Sequence, residues 1–90
     1  MGRNKGLQDR DIQRKINEFD EKYIPFAKII IIRESLAEQM AELIQDSQTE
    51  NIKALGDIYL SVIYGLATYR NCAICVSPIA DIDSEGILIG

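Results

Sequence analysis

The chain has 90 residues, a net charge of −4 and 47% apolar residues. That length supports one small domain, which buries only about 60% of its unfolded surface and gains from core supplied by another copy. Histidine is absent, which removes the commonest general base, the Ser-His and Cys-His nucleophiles and most transition-metal sites.

The charge is uneven. Residues 1–33 hold eight basic and five acidic side chains, whereas residues 34–90 hold two basic and nine acidic ones. The acidic balance of the whole disfavours non-specific attraction to nucleic acid or anionic membranes. No signal-peptide pattern opens the sequence. The longest apolar stretch, 54–69, is interrupted by Asp57 and falls short of the roughly 20 residues of a membrane span. The expectation is a cytoplasmic protein without membrane contact.

Residues 1–8 are polar and read as a disordered arm, followed by a single domain over 9–90. Ile12, Ile16, Phe19 and Tyr23 recur at steps of four, three and four, which predicts a first helix over 9–24 with a narrow apolar seam. Pro25 disfavours helical geometry at Ile24 and ends or kinks that helix.

The run Ile29–Ile32 admits two registers. At about 100° per residue, a helix over 26–47 gathers Ile29, Ile32, Leu36, Met40 and Leu43 on one face. Phe26, Ala37 and Ile44 flank that face, and Glu38, Glu42 and Gln45 lie opposite. Ile31 alone lands on the polar side. In the other register the isoleucines form a buried strand, β-branched as strands prefer. Ser35 then caps a helix with Glu38 three residues on, a capping box. The stripe that runs unbroken from Ile29 to Leu43 favours the helix.

A third helix is expected over 50–71, capped by Thr49 or Asn51. Its apolar arc, from Ile52 and Leu55 through Ile58, Tyr59, Leu60, Val62, Ile63 and Leu66 to Tyr69, is too wide for one neighbour to cover. The tail holds two short extended pieces, "CAICV" and "ILIG", around the acidic turn "DIDSEG", a possible hairpin.

The chemical motifs are few. Cys72 and Cys75 are spaced C-x-x-C, but they follow a helix, where the dipole has the wrong sign to activate a thiol. Two thiolates are also half of a structural zinc site. "DIDSEG" resembles the opening of an EF-hand loop over six residues, but the sequence ends before the twelfth-position glutamate. The ladder Glu34, Glu38, Glu42 lacks the histidines of a di-metal bundle. A helix-turn-helix drawn around residues 46–51 would give a recognition helix with Lys53 alone against Glu50 and Asp57, the wrong balance for phosphate.

The expected fold is therefore mainly α: three helices (9–24, 26–47, 50–71) in an antiparallel bundle completed by oligomerisation, with a short extended tail or hairpin. The alternative is α+β with strands at 28–33 and 72–77. The expected function is that of a non-enzymatic interaction protein (adaptor, assembly factor or inhibitor of another macromolecule) that works as a homo-oligomer, most simply a dimer. Its interface is expected at Ile29, Ile31, Ile32, Leu60 and Tyr64, with no catalytic, cofactor or metal residues. Two alternatives stand beside it: a nucleic-acid-binding regulator using Arg3, Lys5, Arg10, Arg14 and Lys15, and a metal or redox protein built on Cys72 and Cys75.

Overall fold

The computed structural model describes residues 7–23, 28–50 and 52–90. Most of the expected arm, the cap residue Asn51, and Ile24, Pro25 and Phe26 lie outside them. Helix α1 (Asp9–Lys22) is followed by strand β1 (Ile29–Ile32), a 3-10 turn (Glu34–Leu36), and helices α2 (Ala37–Ser47) and α3 (Leu55–Ile63). Strands β2 (Thr68–Tyr69) and β3 (Cys72–Val76), a second 3-10 turn (Pro78–Ile82) and strand β4 (Ile87–Ile89) complete the chain. The strands form one mixed sheet in the order β2-β3-β1-β4.

The expected helical bundle is thus overturned, and the arrangement is α+β. The four isoleucines are a strand, one of the two inner strands of the sheet. Ile29–Ile32 pairs parallel with Ala73–Val76 and, over Ile30–Ile32, antiparallel with Ile87–Ile89. Four identical residues carry no internal period, so their apparent helical stripe was lent by Leu36, Met40 and Leu43 downstream. The alternation of a strand decides instead: Ile30 and Ile32 are 0% exposed, while Ile29 and Ile31 point to the other face. Full burial of each isoleucine contributes about 2–3 kcal/mol. The capping box does not form; the turn begins at Glu34, and its N-cap is Arg33 with no side-chain cap bond.

The core lies between one face of the sheet and the three helices. Ile30, Ile32, Cys72, Ile74 and Ile87 meet Ile12 and Ile16 of α1, Ala37, Met40 and Ala41 of α2, and Ile58 and Val62 of α3. The first helix buries Ile12 and Ile16 of its expected seam, whereas Phe19 is half-buried and Tyr23 lies exposed just past its end. Asp9 and Asp11 in its first turn and Lys22 in its last suit the helix dipole.

Helix α3 is much shorter than the expected 50–71. Gly65, at φ 74°, ends it. The Leu66 N–H reaches the Ser61 carbonyl at 2.8 Å and the Gly65 N–H reaches that of Val62 at 3.2 Å, the two bonds of a Schellman motif. The chain then turns into β2, and Arg70 and Asn71, both at positive φ, make the two-residue reversal into β3. The two tail pieces do not pair with each other. β1 lies between β3 and β4, and the Pro78–Ile82 turn carries the chain across its end.

Candidate interaction surface

The sheet register sorts the strand residues onto two faces. Ile30, Ile32, Ile74, Val76, Ile87 and Ile89 share the helix-covered face, while Ile29, Ile31, Ala73, Cys75 and Leu88 share the other. The aliphatic side chains of this second face are not among those packed on the core. Parallel strands are ordinarily covered on both sides. Here the helices cover one side of the β1–β3 pair, and the other keeps the apolar composition of an interior.

A second apolar surface lies on the solvent side of α3. Ile58 and Val62 enter the core and Leu55 and Ile63 lean on it. Leu60 is 49% exposed, Tyr64 71% and Leu66 76%. Gly56, Leu60 and Tyr64 follow one another at steps of four, so they form one outward stripe. The Schellman turn brings Leu66 back toward that stripe.

Of the five residues expected at an interface, Ile29 and Ile31 lie together on the open sheet face, and Leu60 and Tyr64 lie together on α3. Ile32 faces the chain's own helices and is sealed in the core. Gly56 and Leu88, which lie on these same two surfaces, were not among the expected residues. Leu88 becomes visible only when β4 is paired, whereas Gly56 is legible as the small residue four positions before Leu60.

The motif residues are placed as follows. Cys72 is buried on the core face and Cys75 lies on the opposite face, because three steps along a strand reverse direction. No disulfide links them, and a strand holds such a pair too far apart for one. Burial, with the charge of Asp20, pushes the Cys72 thiol up, away from a reactive thiolate.

The "DIDSEG" turn is clamped rather than open. Lys15 Nζ lies 3.1 Å from Asp83 Oδ2 and 3.1 Å from Glu85 Oε1. Arg14 Nη2 donates to both Glu85 oxygens at 2.9 and 2.8 Å, and Asp83 Oδ1 accepts the Glu85 N–H at 2.7 Å. The Arg14 and Lys15 bonds hold Glu85 below the usual carboxylate range. Burial raises Asp83, but the Glu85 N–H and Lys15 outweigh it and the net shift is downward. Among the described residues, no group of three or more metal-ligating side chains comes together.

The bend at Arg70–Asn71 is tied to α1 by Asp9. Its carboxylate accepts the Tyr69 hydroxyl at 2.6 Å and Arg70 Nε and Nη2 at 2.8 and 2.6 Å. Arg70 first, then Tyr69, lowers the Asp9 pKa. Burial, then the bond to Asp9, pushes the Tyr69 phenol up to about 12. A concavity of about 530 Å³ opens near the start of α1, with Arg10, Asp11, Arg33 and Glu85 around it. Its charges are of both signs.

Compared with family models, curated proteins and solved structures, the chain matches none of them. Among the described residues, no helix is long and apolar enough to cross a membrane.

Proposed function

We propose that this protein is a non-enzymatic, self-associating α+β interaction module, an adaptor, assembly factor or inhibitor of another macromolecule. The observation that carries this reading is apolar surface on two sides, the sheet face against which none of the described helices packs and the exposed solvent side of α3. A contiguous exposed apolar patch on a small domain marks a place where another surface belongs. In a homo-oligomer, one of these surfaces joins copies and the other stays open to a partner protein.

Nucleic-acid binding through the basic arm is the competing reading. Of the basic residues it would use, Arg14 and Lys15 hold Glu85 and Asp83, and Arg3 and Lys5 lie outside the described residues. The open sheet face is aliphatic, where single-stranded RNA would need aromatic rings to stack on. That competitor expects affinity that falls steeply with salt and disappears when residues 1–15 are deleted.

Sedimentation at two protein concentrations about a hundredfold apart tests the proposal. A species of at least twice the chain mass at the higher concentration is expected. A compact monomer at both would overturn self-association.

A further inference from the structure

We infer that the copies join through α3: two α3 helices pack antiparallel about a twofold axis at Leu60, and Tyr64 of each copy sits over Gly56 of the other. The inference rests on the self-association proposed above and names its surface and geometry.

The first support is self-complementarity. A twofold axis through an antiparallel helix pair matches each residue with the one equally far on the other side of the axis. Gly56 and Tyr64 each lie four positions from Leu60, so every large ring meets a position without a side chain. At 1.5 Å per residue each ring is about 6 Å along the helix from the axis. A Cβ built on Gly56 would meet nothing within 4 Å, so nothing in the packing of the described residues calls for glycine there. Its φ is not in the left-handed region, and alanine would favour the helix more. The hollow that Gly56 leaves is filled only from outside.

The second support is area. Tyr59, Leu60, Tyr64 and Leu66 are 37%, 49%, 71% and 76% exposed. Given typical side-chain areas, that is roughly 500 Å² of exposed side chain per copy, against the ~800 Å² per partner of a standard interface. Gly56 and Asp57 beside the stripe are exposed as well. On the open sheet face, Ile29, Ile31, Cys75 and Leu88 are all only partly exposed, so that face offers less area for a first contact.

The third support is charge. Leu60, at the axis, is where like residues meet, and it is neutral. The Asp57 carboxylates of the two copies are offset by about 9 Å along the helices and do not oppose each other. The open sheet face stays accessible on such a dimer.

The test is sedimentation of the full chain with substitutions at exposed positions. Leu60→Glu places two carboxylates at the axis and Gly56→Met fills the hollow. Each is expected to weaken the dimer about a hundredfold or more, with the circular dichroism of the folded chain retained. Ile31→Glu should leave the dimer intact. Mixing Leu60→Glu with Leu60→Lys chains should restore a dimer that neither forms alone, because only an axis at Leu60 brings these side chains together. A wild-type dimer that survives Leu60→Glu and disperses with Ile31→Glu would overturn the α3 geometry while keeping self-association. A wild type that stays monomeric would overturn both.

Discussion

Replacing Gly86 with alanine tests how the turn before β4 is held to the rest of the fold. Gly86 is buried at φ 75°, and an added Cβ would lie 2.3 Å from Arg33 Nε, 2.9 Å from its Cδ and 3.0 Å from its Cγ. Two effects add. The left-handed backbone costs a residue with a Cβ roughly 1–2 kcal/mol. The side chain of Arg33 must also move, and with it the bond from its Nη2 to the Asp83 carbonyl at 2.7 Å. Arg33 is about a third exposed, so losing that bond costs about 1–2 kcal/mol. Gly86→Ala should therefore destabilise the chain by about 2–4 kcal/mol, read from urea unfolding at one protein concentration.

The decisive measurement is the cycle with Arg33→Ala. With Arg33 already shortened, Gly86→Ala should cost only the backbone term, roughly 1–2 kcal/mol, leaving a coupling of at least about 1 kcal/mol. Additivity within about 0.5 kcal/mol would refute the reasoning, because it would mean that Arg33 swings aside without losing anything.

Three further predictions concern other parts of the fold. Ile30→Ala should cost about 2–5 kcal/mol and Ile31→Ala clearly less; equal costs in urea unfolding would contradict the strand's two-faced burial. In the native protein Cys75 should react with a thiol reagent well before Cys72, whose thiol is buried and pushed up; equal rates in a mass-resolved time course would contradict the placement of these two residues on opposite faces. Stability should have a plateau bounded on both sides. Asp9, Asp83 and Glu85 are lowered by folding, so their contribution is present above the ordinary carboxylate range and is lost as pH falls below about 4. Tyr69 is raised to about 12, and Lys15 is raised because Asp83 and Glu85 outweigh its burial. Their contribution is present below about pH 10 and is lost as pH rises toward 12. Asp9→Asn should shrink both the acid-side loss and the Tyr69 part of the alkaline loss; an unchanged pH profile in that variant would show that the Asp9 bonds contribute nothing to stability.

Some of this protein was legible without its fold. The buried residues Ile12 and Ile16 of α1 and Ala37 and Met40 of α2 were legible, because an amphipathic helix writes its buried face as a local period. Gly65 was also legible as a helix stop, since glycine takes the left-handed position at little cost. The wide apolar arc drawn through Leu66 to Tyr69 obscured it. The exclusions that follow from having no histidine needed no structure at all.

The isoleucine run depended on tertiary structure. A strand needs partners, and those of β1 are Cys72–Val76 and Ile87–Ile89, about forty and sixty residues further along. No local period announces a pairing over that distance, because its free energy comes from contacts that exist only after the chain has closed. The same holds for the "DIDSEG" turn, whose carboxylates resemble a calcium loop until Arg14 and Lys15 of α1 are brought against them. The expected excess of apolar surface rests on a helix over 50–71, and the structure shortens that helix to Leu55–Ile63. Which strand residues face away from the described helices, Ile29 and Ile31 of β1 with Leu88 of β4, was decided by the pairing of β1 between β3 and β4, since alternation along that strand turns Ile30 and Ile32 to the core.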